Sequence, residues 1–430
     1  MNTTWESDSF NTVYSIPSRN GIYKSKEFHG TGCKVVNMGE LFGYDFISSQ
    51  KMKRIELTDI EKGKYSIIDG DLLFARRSVV EEGSGKCSLV VNPNELTVFE
   101  SSIIRVRLDH SKVYSKFYYY YFKSPQGRGS ILSISTGVNV KGIRGSELCN
   151  LAVPLPPLPT QRKIAGILSA YDDLIQNNTR RIAILEEMAQ RIYKEWFVDF
   201  KYPGHENDKL VDSELGMIPE GWEIGNISDL YTVKSGFAFR SNNMNNSGDY
   251  GIVKIKNIQS NYVDLNNIQY IARETVDQRA WNFKLSIGDL LIAMTGAQVG
   301  KVGIMLKAKG EYLLNQRVGK FFPIYGFNTT NQFIYQITKS VEFQTTIYNV
   351  AQGAAQPNIS GQDIGNIKII LPRIELIGEF ETLCNPLINE IILLDYQNNT
   401  LRQSRDLLLP KLISGKVDVS ELDIDIGAES

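Results

Sequence analysis

The chain has 430 residues, of which 42% are hydrophobic and 22% charged, and a net charge of −1. That is ordinary globular composition at a length that calls for two or more cores of roughly 100–200 residues. It contains no apolar run near the ~18 residues of a membrane-spanning helix, and Cys33, Cys87, Cys149 and Cys384 form no C-x-x-C pair, which argues against a zinc or redox site.

The opening stretch MNTTWESDSF has no basic segment leading into an apolar one, so no signal peptide is expected and the location expected is cytoplasmic, with reduced thiols. The near-zero net charge hides alternating blocks. Residues 1–155 carry 20 Lys+Arg against 16 Asp+Glu, 156–214 carry 8 against 10, 215–371 carry 14 against 11, and 372–430 carry 5 against 11. Two mildly basic blocks are therefore separated by acidic ones, a weak pointer to a polyanionic partner.

The first basic block, taken as residues 1–158, reads as strand-rich α/β. Stretches such as YSIIDGDLLFAR are short apolar runs broken by a Gly-Asp turn. Its FYYYYF at 117–122 has the composition of a platform for stacking bases, but the counterpart FIYQIT at 333–338 keeps bulk and loses most rings, which favours packing. A Pro-rich stretch, VPLPPLPT, then leads into a long helix within 159–200. Along it Ile164, Leu168, Tyr171, Ile175, Asn178, Ile182, Leu185, Ala189, Ile192 and Trp196 recur at spacings of four and three. After a linker at 201–218, a second strand-rich block covers 219–372 and contains FKLSIGDLLIAM. A second long helix follows within 373–419, with Ile377, Phe380, Cys384, Leu387, Ile391, Leu394, Asn398, Leu401, Arg405, Leu408 and Leu412 in the same rhythm. Pro410 is expected to kink it or end it early. Residues 420–430 are an acidic tail.

This order is a repeat. Trp5-Glu6, Tyr14 and Ser18 return as Trp222-Glu223, Tyr231 and Ser235; GDLLFA at 70–75 returns as GDLLIA at 288–293; CNLAVPLP at 149–156 returns as GNIKIILP at 365–372. Both helices carry QNNT, at 176–179 and 397–400. The unbroken heptad rhythm calls for a partner helix, and two seams of similar length in one chain predict an antiparallel coiled coil within the chain, about 55 Å long at 1.5 Å per residue. Asn178 and Asn398 lie on the seams, where a buried Asn fixes register at some cost in stability. The fold class expected is thus α/β (α+β): two duplicated strand-rich domains on two long helices, related by a pseudo-twofold axis. Two similar domains at the ends of a rigid ruler suit the reading of two half-sites on a duplex.

The stretches LPPLPTQRKIAGIL, WFVDFKYPG, DSELGMIPEGW and LLLPKLISGKVDV resemble the conserved regions of the specificity (S) subunits of Type I restriction-modification systems, and the resemblance covers nearly the whole chain. It implies a non-catalytic subunit with two target-recognition domains and two conserved helical regions, reading a bipartite double-stranded DNA target. It also implies docking of two methyltransferase (M) and two restriction/translocase (R) subunits, with S-adenosylmethionine, ATP and Mg²⁺ on those partners and no cofactor in this chain.

Catalytic motifs are wanting. The only Pro-Pro, Pro156-Pro157, follows Leu155 and not the Asn or Asp of an amino-methyltransferase; GSGKC at 83–87 has neither the spacing nor the hydroxyl of a phosphate-binding loop; His29, His110 and His205 are scattered. No catalytic or metal-binding residue is expected.

Base edges demand forked donors and amides near close-approach loops. The first domain offers Lys34, Asn37, Arg76, Arg77, Ser78, Lys86, Asn139, Lys141 and Arg144. The second offers Lys254, Lys256, Asn257, Thr295, Gln298, Lys301, Gln316, Arg317, Gln356, Asn358 and Ser360. Two other readings compete. A scaffold that holds two partners without touching DNA explains the helices but leaves the basic domains idle. A self-sufficient nuclease or methyltransferase founders on the absent motifs.

Overall fold

The computed structural model describes residues 5–306, 310–325, 331–351 and 357–423. Its contacts divide the chain into two compact units, one of residues 1–175 with 401–430 and the other of residues 176–400.

The first unit is built on a five-stranded sheet in the order Tyr14–Asn20, Ile103–Leu108, Leu72–Ala75, Cys87–Val90, Phe46–Ile47. A three-stranded sheet, Lys53–Ile55, His29–Val36, Thr97–Phe99, completes it. Leu72 to Ala75 are fully buried on both faces, as the unbroken apolar run requires. The Gly-Asp turn before them has a structural task. Gly70 takes φ +81, a left-handed angle that glycine adopts without strain, and Asp71 accepts the amide of Ile68 at 2.9 Å and the guanidinium of Arg107 at 2.7 Å.

The second unit repeats this design. Its five-stranded sheet runs Tyr231–Ser235, Val318–Pro323, Leu290–Ala293, Val302–Ile304, Asn261–Tyr262, and its three-stranded sheet Gln269–Ile271, Tyr250–Val253, Glu311–Leu314. Asp289 receives the amide of Ser286 at 2.7 Å and Lys320 at 2.6 Å, so GDLL means the same thing twice. The class is α+β, with the duplication visible in strand order as well as in sequence.

The FYYYYF run forms the helix Ser115–Lys123, and all six rings are buried. Phe122 meets Phe74 edge-on at 5.0 Å and Phe10 at 5.1 Å. These rings bind the helix to the sheet and are closed to bases. The helix starts inside a core, where its first amides need acceptors. Gln161 Oε1 accepts the Tyr114 amide at 2.9 Å, and in the second unit Glu381 Oε1 accepts the Phe333 amide of the helix Gln332–Lys339 at 2.8 Å. The Gln of TQRKIA is therefore a helix cap.

The first long helix is Leu158–Tyr193, followed by a π-helical turn over Lys194–Val198; the second is Ile374–Ile413. Within the first unit, Ile164 and Leu168 share a core with Leu409, Leu412 and Ile413, and Arg405 pairs with Asp172. Within the second, Ala189 shares a core with Ile377, Phe380 and Cys384, Arg181 pairs with Glu390 at 2.6 Å, and Thr179 meets Asn398. In each unit the partner number falls as the first rises, so the helices run antiparallel there. The seam positions Ile164, Leu168, Asn178, Ile391, Leu394 and Asn398 are buried; Ile175, Ile182, Leu185, Leu387, Leu401 and Leu408 are half-buried. The second helix runs three residues past Pro410 and ends at Ile413. One missing amide near a C-terminus is tolerated when Leu409, Leu412 and Ile413 are all buried beside it. The stretch expected as a linker at 201–218 holds most of an antiparallel hairpin, Leu210–Ser213 with Gly216–Pro219, which runs one residue past it.

Candidate nucleic-acid interface

In the first unit the chain leaves the buried strand at Ala75 and immediately exposes Arg77, with Arg76 half-buried behind it. The short strand Arg77–Ser78 pairs with Lys141–Gly142, and the Ile143 amide donates to the Arg76 carbonyl at 3.0 Å. This stitching brings Arg144, which is exposed, beside Arg76 and Arg77. Two adjoining concavities result, about 320 and 370 Å³. Arg76 and Arg144 line both; Arg77 and Thr136 line the first, Ser18 and Asn20 the second. Asn139 lies exposed on the neighbouring loop, and Lys141 is half-buried with Glu81 at 3.4 Å. Sequence reasoning passed over Ser18, Arg19 and Asn20, which line the second concavity from the end of the strand Tyr14–Asn20; Arg19 Nη1 is buried with no partner among the described residues, and no local motif announces this placement.

The second unit has the same backbone frame. Met294 occupies the Arg76 position, since its amide reaches the Arg317 carbonyl at 3.0 Å as that of Arg76 reaches Ser102 at 2.8 Å. Thr295 bridges Asn358 as Arg77 pairs with Gly142. Ser360 takes the place of Arg144, each preceding a short helix, Gly361–Gly365 or Gly145–Leu148. Lys301 matches Lys86, both accepting at their carbonyls the amide of the buried alanine, Ala293 or Ala75. Gln316 and Arg317 are exposed on the adjoining turn, as are Lys256, Asn358 and Ser360, while Thr295, Gln298 and Lys301 are half-buried. Thr295 Oγ1 and Gln298 Oε1 are buried atoms with no partner among the described residues. Gln356 lies outside the described residues.

Several sequence candidates are taken up by the fold, which corrects their reading as base contacts. Lys34 is buried, with its ammonium 3.0 Å from Glu95 and 3.3 Å from Asn94. Asn257 is buried and spans a turn from the Lys254 amide to the Asp264 carbonyl. Ser78 is buried and accepts the Val80 amide at 3.1 Å. Asn37 caps the helix Met38–Gly43 and donates to the Val35 carbonyl. Lys254 donates to Gln269, and Lys86 to the Phe42 carbonyl at 2.6 Å; burial lowers the pKa of both ammonium groups.

Among the described residues no group of three or more His, Cys, Asp or Glu side chains could hold a metal ion, and no helix is long and apolar enough to cross a membrane.

Two copies of one α+β frame, each presenting a different polar set from the same strand ends, define a duplicated recognition protein. Residues 2–187 and 219–379 match the Type I restriction modification DNA specificity domain, and the chain belongs to that family. It is 28% identical over 414 residues to the Type I restriction enzyme MjaIX specificity subunit of Methanocaldococcus jannaschii, covering 93% of this chain and 90% of that one. It is 22% identical to the HindI specificity subunit of Haemophilus influenzae, over 89% of this chain and 94% of that one. The fold is shared with a Type I restriction-modification S subunit from M. genitalium, at a TM-score of 0.60 and 16% identity over 96% of both chains.

Proposed function

We propose that this chain is the non-catalytic, sequence-reading subunit of a Type I restriction-modification complex in the cytoplasm, with each unit reading one half of a bipartite double-stranded DNA target. The observation that carries the proposal is the equivalence of the two surfaces: Arg76, Arg77 and Arg144 stand where Met294, Thr295 and Ser360 stand. One frame with two side-chain sets is what reading two different half-sites requires, since phosphate contacts position a protein and base-edge contacts specify the sequence. The two long helices set the gap between half-sites and offer docking faces for two methyltransferase and two restriction/translocase subunits. S-adenosylmethionine, ATP and Mg²⁺ belong to those partners, where the methyl transfer and strand cleavage occur.

Duplex binding measured by fluorescence anisotropy across a salt series tests this reading. Affinity should fall steeply with salt, because each neutralised phosphate releases counterions. A chain that assembles with its partners but shows no affinity for DNA at any salt would instead be a scaffold.

A further inference from the structure

Several arginines elsewhere in this protein are paired with carboxylates: Arg54 with Glu95, Arg107 with Asp71, Arg181 with Glu390, Arg373 with Asp208, Arg405 with Asp172. Arg76, Arg77 and Arg144 are distinguished by standing together around one pair of concavities. Arg76 makes one long contact to the Ser101 carbonyl at 3.4 Å, and among the described residues no carboxylate pairs with any of the three. They converge on two adjoining concavities from a strand end and a stitched loop, so the backbones that carry them are fixed by the sheet. With Arg19, which also lines the second concavity, four guanidinium groups are gathered there with no carboxylate paired to them among the described residues, a site for an anion or a pair of acceptor atoms.

Resting on the proposed function, we infer that the first unit is a guanine reader: Arg76 and Arg144 donate in fork geometry to the O6 and N7 acceptors of guanines, and Arg77 holds the adjoining phosphate. Two physical arguments favour bases for Arg76 and Arg144. The guanidinium fork matches the paired major-groove acceptors of guanine, the commonest specific contact of this side chain. Arg76 also lines both concavities and is half-buried where Arg77 is exposed, which suits a base edge that enters the site more than a flanking backbone. The second unit lacks all three arginines in the same backbone frame and has Met294, Thr295 and Ser360 in their place, with Arg317 on a different turn. The half-site that it reads therefore differs in composition and depends less on guanine.

Arg76→Lys and Arg144→Lys test this, because lysine keeps the charge and loses the fork. The full chain, assembled with its methyltransferase partner, is used to select duplexes from a random library, and the bound pool is sequenced. The wild type should select a two-part motif, one part holding at least two G·C pairs. Each lysine variant should lose preference for one of those pairs by about tenfold or more, with the salt dependence of binding and the other half-motif unchanged. Lysine variants that select the wild-type motif would overturn the inference and make the arginines phosphate contacts, leaving the DNA-reading function intact. A wild type that selects no motif would overturn both.

Discussion

Asn398 donates from Nδ2 to Oγ1 of Thr179 at 3.5 Å, so the two QNNT tetrapeptides of this chain touch within the unit 176–400. The contact is at the outer limit of a hydrogen bond, and Asn398 Oδ1 is buried with no partner among the described residues. A buried acceptor left unmade costs free energy, the known expense of an Asn that fixes helix register. Asn398→Leu should therefore stabilise the protein by about 1 kcal/mol, read as a higher denaturant midpoint. A lower midpoint would mean that the amide contributes net stability.

Arg405 and Asp172 form the equivalent junction in the other unit, and Tyr120 donates its hydroxyl to Asp172 at 2.6 Å. Both charged side chains are largely buried, at 16% and 10% exposed. Removing one partner strands the other charge, so Arg405→Ala should cost about 3 kcal/mol. The double replacement Arg405→Met with Asp172→Leu, which removes both charges at similar volume, should cost less. Chemical denaturation of the three proteins gives the comparison; equal losses would show that packing, and not charge, decides.

Glu381 gives the fold a pH dependence. Burial pushes its carboxyl up to about 7, against the opposing pull of the Phe333 and Gln332 amides. The folded state thus holds the proton more tightly than the unfolded chain, whose carboxyl sits near 4.5. The stabilisation is fully present below about 4.5 and is lost as pH rises through about 7. Glu381→Gln, which imports the amide that Gln161 uses in the first unit, should gain thermal stability over the wild type between pH 5 and pH 8. A Tm difference that is flat across that range would rule out Glu381 as the titrating group.

Lys34 and Arg77 separate fold from function. Arg77→Ala removes an exposed guanidinium and should weaken duplex binding uniformly across sequences, lowering the salt slope by about one, with little effect on stability. Lys34→Ala removes a buried lysine from its pair with half-buried Glu95 and should lower stability while leaving the DNA affinity of the folded protein unchanged. Anisotropy titrations paired with melting curves check both; a reversal of the two effects would exchange their roles.

The duplication, the paired helices and the class of fold were legible because apolar periodicity and repeated turns are local signals. Pro410 stands in the last turn of its helix, which runs only three residues further, to Ile413, with Leu409, Leu412 and Ile413 buried beside it. The caps at Gln161 and Glu381 were invisible, since each meets a helix start about 50 residues away in sequence. The candidate interface was legible in part, and the reason for the misses is physical. Residues recurring at matched places, such as Lys34 with Lys254 and Asn37 with Asn257, are those that one frame needs twice, for turns, caps and buried pairs. Readers of two different half-sites should instead differ between the copies while sharing a backbone position, as Arg76 and Met294, or Arg144 and Ser360, do.

The most direct measurement is single-molecule methylome sequencing of cells that carry the cognate methyltransferase, with and without this chain. The account predicts N6-methyladenine at a two-part motif of fixed gap only when the chain is present, and replacement of residues 1–155 by those of a relative should change one half of that motif alone. Identical methylation with and without the chain would contradict it.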